Sequence, residues 1–429
     1  MKSIVKLMNM NARCLGLGLG MRVGAMLTMV TVATVPAADT FDWPQWRGPD
    51  RSDVSKETGL LKSWPAGGPK RVWMFENAGN GYAGFSVVKG RLYTMGTRSD
   101  SDVLLCLDAS TGQEQWVTNL AGILNNNWGN GPRGTPTVNG DNVYAMSGNG
   151  TLVCAQASDG KIVWKKKMSE LGGKTPNWGY TESPLVDGDL VVCTPGGSKG
   201  AIAAFDKKTG DLKWQSKDFT DEAHYASIVP ADLNGSRQYI QLTKSSVAGV
   251  AAADGKLLWR HNWPGQTAVI PTPIYKDGHV YVTSGYGVGC MLLKIGEGNQ
   301  VTGIYTNKVM KNHHGGVVLI GEHIYGNADP GWICQNFKTG EAVWSHRDFG
   351  KGAIASADGM LYCLEENTGT VALIEASPAG WSEKGRMKLE PQSKIRSSRG
   401  KIWTHPVISN GRLYLRDQDL IYCFDVKGA

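Results

Sequence analysis

The chain has 429 residues, of which 56 are glycine and 15 are tryptophan, and its formal net charge is +7. Glycine at about 13% is nearly twice the roughly 7% of ordinary proteins, which favours a fold that turns often. The basic residues form no long stripe, so the composition argues against a nucleic-acid-binding protein, whose surface must neutralise phosphates.

The N-terminal segment has the order of a secretory signal peptide. Four basic residues and no acid precede an apolar stretch from Val23 to Val35, and the small residues Ala37 and Ala38 follow it. The apolar stretch is shorter than the roughly 20 residues that span a bilayer, so we expect cleavage and no membrane span. Export of the chain to the periplasm or the extracellular space is therefore predicted, and loss of residues 1–38 lowers the formal charge from +7 to +3.

Two short segments come before the repeats. Residues 39–69 form a leader that contains the motif Trp43-Pro44-Gln45-Trp46-Arg47-Gly48-Pro49, and we expect it to pack on the main domain. Arg71-Val72-Trp73-Met74-Phe75 then has the pattern of a single β-strand without a partner nearby.

The rest of the chain repeats one unit eight times. Each unit begins with a short apolar stretch, a tight glycine turn and a second apolar strand, and the units are roughly 40 to 50 residues long, as in propeller blades. The glycine turns are Lys89-Gly90, Asn139-Gly140, Asp187-Gly188, Asn234-Gly235, Asp277-Gly278, Ile320-Gly321, Asp358-Gly359 and Asn410-Gly411.

A second signature marks the third and fourth strands of the unit. An acidic or Thr-Gly turn is followed by tryptophan, as in Asp206-x3-Gly210-x3-Trp214, and we expect this indole to pack between neighbouring blades. The tryptophans assigned this structural role are Trp73, Trp116, Trp164, Trp214, Trp259 and Trp344.

The two ends of the chain complement each other. The last repeat, from Thr404 to Gly428, contains three strands, and the isolated strand Arg71–Phe75 supplies the fourth. This pairing would close the ring and leave no open sheet edge between the ends. We therefore predict an all-β, eight-bladed β-propeller of four-stranded antiparallel blades over residues 70–429, closed by an N-terminal outer strand on the last blade.

Seven cysteines follow the signal segment, with no adjacent pair and no Cys-x-x-Cys motif. This spacing excludes haem attachment and the common cysteine-rich zinc sites. Cys106, Cys154, Cys290, Cys334 and Cys423 take the same place in their repeats, which indicates a small buried packing position and not a disulfide framework.

The segment Ala204-x-Asp206-x-x-Thr209-Gly210-x-x-x-Trp214 resembles the tryptophan-docking motif of pyrroloquinoline-quinone-type propeller repeats. The family includes quinoprotein alcohol dehydrogenases, in which the quinone and a calcium ion lie at the mouth of the central funnel. It also includes non-catalytic members such as the lipoprotein scaffold of the outer-membrane β-barrel assembly machinery. The resemblance therefore implies the quinone and Ca²⁺ as candidate cofactors and a protein as a candidate partner.

The sequence departs from both groups. It lacks the adjacent cysteine pair that covers the quinone, the long insertions between blades and a haem motif, and these losses weaken the dehydrogenase interpretation. It also lacks a lipidation cysteine at the expected cleavage site, which separates it from the lipoprotein scaffold.

The candidate site lies on the face opposite the glycine turns, where the chain crosses from blade to blade. Loops held by a rigid scaffold commonly carry function, and these crossings are rich in aromatic, amide and histidine side chains, which suit a polar, planar or sugar-like ligand. The candidate ligand-binding residues are Trp128, Arg133, Asn177, Trp178, Tyr180, Glu182, His224, Tyr225, His313, His314, Trp403 and His405.

Several of these residues have structural alternatives. The adjacent His313 and His314 could bind a metal with His224 or His405, but neighbouring residues of a strand point to opposite faces, so at most one should face the funnel. Glu182 could coordinate calcium, although a hydrogen bond to nearby backbone is the simpler expectation. The tryptophans of the crossings could equally plug the funnel or stack on a ligand.

The sequence favours an exported, non-catalytic, monomeric propeller that binds a ligand or protein partner at the funnel face. The alternative is a quinone-dependent oxidoreductase, or a degenerate relative of one, and an unrelated hydrolytic or lyase activity is a third. Catalytic residues are not assigned, because the chain has no nucleophile elbow, phosphate-binding loop or His-Glu-x-x-His motif.

Overall fold

The computed structural model describes residues 41–428, so the expected signal peptide, residues 1–38, lies outside the described residues. Eight antiparallel sheets follow one another along the chain, each running from an inner to an outer strand. The predicted eight-bladed propeller is confirmed. Within the described segment, no helix has the length and apolar character needed to cross a membrane.

Two strands precede the blades, β1 (Val54–Ser55) and β2 (Arg71–Phe75). Blades 1 to 4 consist of β3 (Ser86–Val88), β4 (Arg91–Arg98), β5 (Ser101–Asp108) and β6 (Glu114–Gly122); β7 (Thr137–Asn139), β8 (Asn142–Met146), β9 (Thr151–Gln156) and β10 (Ile162–Lys167); β11 (Leu185–Asp187), β12 (Leu190–Cys193), β13 (Ala203–Asp206) and β14 (Leu212–Gln215); and β15 (Val229–Leu233), β16 (Ser236–Leu242), β17 (Ser246–Ala251) and β18 (Leu257–Asn262).

Blades 5 to 7 consist of β19 (Ile274–Lys276), β20 (His279–Ser284), β21 (Gly289–Ile295) and β22 (Val301–Asn307); β23 (Val317–Ile320), β24 (His323–Asn327), β25 (Trp332–Asn336) and β26 (Ala342–His346); and β27 (Gly352–Ala357), β28 (Met360–Glu365), β29 (Thr370–Glu375) and β30 (Glu383–Lys388). Blade 8 consists of β31 (Val407–Ser409), β32 (Arg412–Asp417), β33 (Leu420–Asp425) and β2. Two 3₁₀ helices, Met168–Leu171 and Glu297–Asn299, lie between strands of this part of the chain.

The ring closes as predicted. Strand β2 pairs antiparallel with β33, with Trp73 opposite Cys423 and Phe75 opposite Ile421. An N-terminal strand therefore forms the outer edge of the last blade, and hydrogen bonds join the two ends of the propeller domain.

The glycine turns between the first and second strands differ in register. In five blades both predicted loop residues have positive φ, as in Lys89 (49°) and Gly90 (73°), which is a type I′ turn. In blades 2, 3 and 6 the loop residues lie one position later than predicted, and the glycine alone has positive φ, as in type II′ turns. These loops are Gly140-Asp141, Gly188-Asp189 and Gly321-Glu322.

The core lies between the blades. Among the described residues, eight clusters of buried apolar side chains each fill the space between two adjacent sheets. Because both faces of a blade are covered, a middle strand such as β5 is buried at six consecutive positions instead of alternating. An outer strand such as β6 keeps most of its side chains at least partly exposed.

One row of side chains recurs across the blades. In blade 1, Tyr93 pairs with Cys106 and Cys106 pairs with Trp116, so that the tyrosine and tryptophan rings lie 5.9 Å apart. Blades 2, 6 and 8 repeat this row with Cys154, Cys334 and Cys423. Cys290 is the exception to the predicted equivalence, because it pairs with Thr283 and Asn307 outside the row. All seven described cysteines are free and buried.

The row tryptophans also join each blade to the next. The indole Nε1 of five of them donates a hydrogen bond to a carbonyl of the following blade, namely Trp73 to Ala109, Trp116 to Ala157, Trp164 to Lys207, Trp214 to Ala252 and Trp344 to Ser377. Trp259 instead donates to Gln238 Oε1 of its own blade at 2.8 Å. In blade 5, where the repeat has no tryptophan, the Tyr305 hydroxyl donates to the Phe337 carbonyl at 2.8 Å.

Blade 7 has glycine where the other blades have an aromatic ring. Gly385 pairs with Leu373 in this row, and the Cβ and backbone atoms of Trp64 in the leader pack against it. Trp64 lies 6.0 Å from Tyr362, and its backbone N–H donates to the Lys384 carbonyl at 2.9 Å. The leader therefore supplies the aromatic ring that the blade 7 sequence lacks.

The leader also crosses the centre of the ring. Trp43 exchanges two backbone hydrogen bonds with Val87 of blade 1, and β1 runs parallel to β27 of blade 7. Between these points Arg51 Nη2 donates to the Ser183 carbonyl of blade 3 at 2.9 Å. The segment 43–55 thus touches inner strands on several sides and fills the channel.

We predict that Trp64→Ala lowers the free energy of unfolding of the whole propeller by roughly 3 kcal/mol, because it empties a buried site between blades 7 and 8. The exposed neighbour Ser63 is the matched control, and Ser63→Ala should change stability by less than about 0.5 kcal/mol. Chemical denaturation of the two variants checks the prediction, and equal stabilities would show that Trp64 does not replace the missing ring.

Candidate functional site

A cavity of about 280 Å³ opens on the face opposite the glycine turns. All eight connections between consecutive blades contribute to its wall, and the leader forms part of its floor. Its lining residues are Trp46, Arg47, Tyr82, Trp128, Arg133, Trp178, Thr181, Tyr225, Ser227, Ala268, Ile270, Pro271, Thr272, Tyr286, His313, His314, Gly316, Lys351, Glu366, Lys401, Trp403, Thr404 and His405.

Eight of the twelve candidate residues line this cavity. They are Trp128, Arg133, Trp178, Tyr225, His313, His314, Trp403 and His405. Their convergence on one space agrees with the choice of the crossing face, and ligand binding by them stays a prediction. The other four, Asn177, Tyr180, Glu182 and His224, are not among the lining residues.

Glu182 and Tyr180 are buried in the scaffold. Glu182 accepts hydrogen bonds from the backbone N–H and the hydroxyl of Thr194, and burial raises its pKa to about 7. Tyr180 packs between blades 2 and 3 and donates to the Pro195 carbonyl at 3.0 Å. The backbone hydrogen bond expected as the simpler role of Glu182 is therefore present.

His224 and Asn177 stand beside the cavity. The Nδ1 atom of His224 accepts a hydrogen bond from the Val269 N–H at 2.9 Å, and burial lowers the pKa of this histidine to about 4. The centroids of the His224 and Tyr225 rings lie 4.4 Å apart, so His224 supports Tyr225, which lines the cavity. Asn177 is exposed, and its carbonyl accepts a hydrogen bond from Asn126.

The floor is an ion pair enclosed by the leader and blade 8. Arg47 Nε lies 3.0 Å from Asp53 Oδ2, and each side chain is 1% exposed. His405 Nδ1 lies 3.1 Å from the same oxygen, and its Nε2 lies 3.1 Å from the His314 carbonyl. Both ring nitrogens of His405 thus lie within hydrogen-bonding distance of oxygen atoms.

Trp403 forms one wall. Its ring stacks on His314 with 4.5 Å between centroids and 19° between planes, and Trp128 lies 6.3 Å away. The indole Nε1 of Trp403 donates to Glu366 Oε2 at 3.1 Å. Burial raises the pKa of Glu366, although the Lys351 charge and this hydrogen bond oppose the rise.

His313 belongs to a chain of polar groups. Its Nε2 lies 2.6 Å from the Tyr286 hydroxyl and its Nδ1 contacts Lys351 Nζ. Burial and the Lys351 charge lower the pKa of His313 to about 3. The expectation that at most one of the two adjacent histidines faces the funnel is wrong, because both line the cavity. They lie in the loop between β22 and β23, where strand alternation does not apply.

Arg133 extends along the wall beside Tyr82. Its guanidinium carbon lies 5.5 Å from the centre of the Tyr82 ring, and its Nη atoms donate to the carbonyls of Gly129 and Gly131. Burial lowers the pKa of Arg133 to about 10. It remains a cation at neutral pH.

Several lining residues escaped the sequence analysis. Trp46 and Arg47 lie in the leader motif Trp43-Pro44-Gln45-Trp46-Arg47-Gly48-Pro49. The two tryptophans and the arginine of this motif were a sequence feature from which candidate lining residues could have been chosen. Tyr286 and Glu366 lie in connections between second and third strands, and Lys351 follows an ordinary outer strand. No sequence feature distinguishes these three from neighbouring loop residues.

The donor set does not suit calcium. Ca²⁺ takes six to eight oxygen ligands, several of them carboxylates. The lining offers one carboxylate, Glu366, which already accepts a hydrogen bond from Trp403 and lies 3.9 Å from Lys351 Nζ. Across residues 41–428, no group of three or more His, Cys, Asp or Glu side chains is arranged to hold a metal ion.

We predict that Lys351→Met raises the pKa of His313 by about one unit, because it removes a cation beside the imidazole while burial persists. Histidine proton resonances followed by NMR against pH measure this value. His224, whose pKa is not lowered by Lys351, is the internal control. An unchanged His313 titration would contradict the proposed coupling.

The comparisons with known proteins agree with this architecture. The sequence model of the family described as outer membrane protein assembly factor BamB matches residues 100–346. No curated protein matches the chain.

Solved structures share the fold at low sequence identity, which supports the fold alone. BamB from Moraxella catarrhalis is 14% identical with a TM-score of 0.57, and the match covers 84% of this chain and 98% of that one. Quinohemoprotein alcohol dehydrogenase from Comamonas testosteroni is 12% identical with a TM-score of 0.61, covering 91% and 81%. The computationally designed Ika8 protein is 12% identical with a TM-score of 0.56, covering 87% and 99%.

The family match spans more than half of the chain, and it includes the tryptophan-docking turns of blades 1 to 4 and 6. The chain therefore belongs to the PQQ_2 family, described as outer membrane protein assembly factor BamB.

Proposed function

We propose that this protein is an exported, non-catalytic propeller that binds a ligand or a protein partner at the cavity of its funnel face. The observation that carries the proposal is that all eight blade crossings and the leader contribute to one cavity. Such a concave site with aromatic walls and a few polar groups is the usual form of a binding site.

The hydrogen bonds and pKa shifts of the polar side chains in the cavity support a binding role over a catalytic one. Glu366 is held by Trp403 and lies near Lys351, and His405 is held between Asp53 and a carbonyl oxygen. A general base needs a free lone pair and a pKa near the working pH, whereas the pKa of His313 is lowered to about 3. These groups are better suited to shaping the cavity than to moving protons.

The alternative function is a quinone-dependent oxidoreductase. A dehydrogenase of this fold is among the similar structures, and aromatic walls could hold a planar quinone. The shortage of carboxylates for calcium is the main argument against it, because the resemblance implies that the quinone and Ca²⁺ bind together.

The sequence and the family description support export and a protein partner. Residues 1–38 have the order of a signal peptide, and the family description names an assembly factor of outer membrane proteins, so we place the protein in the periplasm or outside the cell. A protein partner would meet the exposed rings of Trp128 and Tyr286 at the cavity rim. We expect a monomer that binds no nucleic acid.

The dehydrogenase alternative predicts that purified protein incubated with the quinone and Ca²⁺ keeps the quinone absorbance after desalting and oxidises alcohols with a dye acceptor. We expect the protein neither to retain one equivalent of the quinone nor to oxidise alcohols. The reason is that the lining provides one carboxylate, Glu366, which already accepts a hydrogen bond from Trp403. Turnover that disappears in Glu366→Gln would instead establish the quinoprotein function.

Export can be tested with residues 1–38 fused to alkaline phosphatase, a reporter that is active only where its disulfides form. We expect phosphatase activity from this fusion in a bacterial host. The control fusion, Leu27→Arg with Val32→Arg, interrupts the apolar stretch and should be inactive. Equal activity of the two fusions would contradict a signal peptide.

A further inference from the structure

Six asparagines within residues 41–428 are followed directly by glycine. They are Asn80, Asn130, Asn139, Asn149, Asn234 and Asn410. Asparagine is among the thermolabile residues, because the backbone nitrogen of the next residue can attack its side-chain amide carbon. Glycine has no Cβ to obstruct this attack, so the six Asn-Gly pairs are the places where spontaneous loss of an amide is most favoured.

The reaction needs two groups that a fold can hold in place. The glycine nitrogen loses its proton to hydroxide, bonds to Cγ of the asparagine and displaces ammonia, which leaves a five-membered succinimide. Water then opens this ring at either carbonyl and gives aspartate or isoaspartate, without any oxidant or reductant. A hydrogen bond donated by the glycine N–H, or one made by the asparagine side chain, has to break before the attack.

Three of the pairs are held at the glycine nitrogen. The N–H groups that already donate a hydrogen bond are those of Gly81 to Gln418 Oε1 at 3.2 Å, Gly131 to the Leu124 carbonyl at 3.0 Å, and Gly150 to the Ser147 carbonyl at 3.0 Å. The amide of Asn149 is held as well, because its Nδ2 donates to the Gly122 carbonyl at 3.0 Å. These pairs lie in connections on the crossing face.

Two further pairs are held at the asparagine side chain. Asn234 Nδ2 donates to the Gly296 carbonyl at 2.7 Å and to Asn299 Oδ1 at 3.0 Å. Asn410 Oδ1 accepts a hydrogen bond from the Phe41 N–H at 2.8 Å. Both asparagines are exposed, so these hydrogen bonds and not burial restrain them.

The remaining pair, Asn139-Gly140 in the first turn of blade 2, has neither restraint. Both residues are exposed, and within residues 41–428 neither the Asn139 side chain nor the Gly140 N–H makes a hydrogen bond. A Cβ at Gly140 would meet no atom within 4 Å. Asn139 pairs with Asn142 at the end of the three-residue strand β7, and the end of a short strand opens more readily than its middle.

We propose that Asn139 is the site at which this protein deamidates, through a succinimide with Gly140, because the fold protects the other five pairs. The inference concerns the glycine-turn face and is independent of the function proposed for the cavity. Either product places a new carboxylate next to Asp141 in this turn. Isoaspartate also adds one carbon atom to the backbone, which lengthens the connection between β7 and β8.

Peptide mapping by mass spectrometry of folded protein kept in mildly alkaline buffer tests the proposal. Trypsin cleaves after Arg133 and Lys161, so one peptide carries both Asn139 and the restrained Asn149. Fragment ions assign the exchange of an amide for an acid to one asparagine or the other. We expect Asn139 to convert at least about tenfold faster than Asn149, whose hydrogen bonds have to break first. Equal conversion of the two would overturn the proposal.

The same map of protein unfolded in guanidinium chloride separates the fold from the local sequence. All six pairs should then convert at similar rates, because the hydrogen bonds that restrain five of them are lost. A preference for Asn139 that persists in the unfolded chain would contradict protection by the fold.

Asn139→Gln tests the site by a second measurement. Native isoelectric focusing should no longer show the early acidic form, because the six-membered ring that glutamine would have to form closes far more slowly. Asn142→Gln is the matched control, since Asn142 lies in the same hairpin but precedes Val143, and it should acidify like the unchanged protein. Asn139 is exposed, so its replacement should leave the unfolding transition in place. An acidic form that appears at the same rate in Asn139→Gln would refute the assignment.

Discussion

The structure depends on one constraint, which is that every blade must be covered on both faces. A middle strand such as β5 is apolar on both sides, so an uncovered blade would expose half of its core to water. Eight interfaces filled by eight clusters meet this requirement, and the pairing of β2 with β33 completes it. Closure is thus a consequence of strand composition, and stability is shared around the ring instead of residing in any one repeat.

The N-terminal segment completes the ring in three ways. It forms the outer strand of blade 8, which contains Trp73, and it places the aromatic ring of Trp64 on blade 7. Trp43 and its neighbours fill the central channel. Trp46 and Arg47 belong to the part of the leader that fills the channel, and they line the floor of the cavity. The same segment that completes the core therefore shapes the candidate site, so changes in the leader should alter both.

The repeat and its closure could be predicted because they depend on local patterns, namely glycine turns, tryptophan spacing and a missing strand. The register of Gly140-Asp141 and the divergence of Cys290 could not, because one residue of slip preserves the pattern while changing the pairing. For the candidate site, the sequence was enough to predict that the residues lie on the crossing face, but not which way each side chain points. Glu182 was expected near the funnel mouth, but its side chain is buried in the scaffold, where it accepts a hydrogen bond from Thr194. Lys351 lines the cavity although it lies in a loop that carries no recognisable motif.

The cavity combines aromatic rings with the buried cation Arg133, and burying a cation costs free energy. Arg133 meets part of that cost with two carbonyls and the Tyr82 ring, which satisfy its donors without cancelling its charge. Arg47, by contrast, pairs directly with the carboxylate of Asp53 at 3.0 Å. The two arginines therefore differ in how they are held, Arg47 by a carboxylate in the filled channel and Arg133 by carbonyl oxygens and an aromatic ring in the cavity wall.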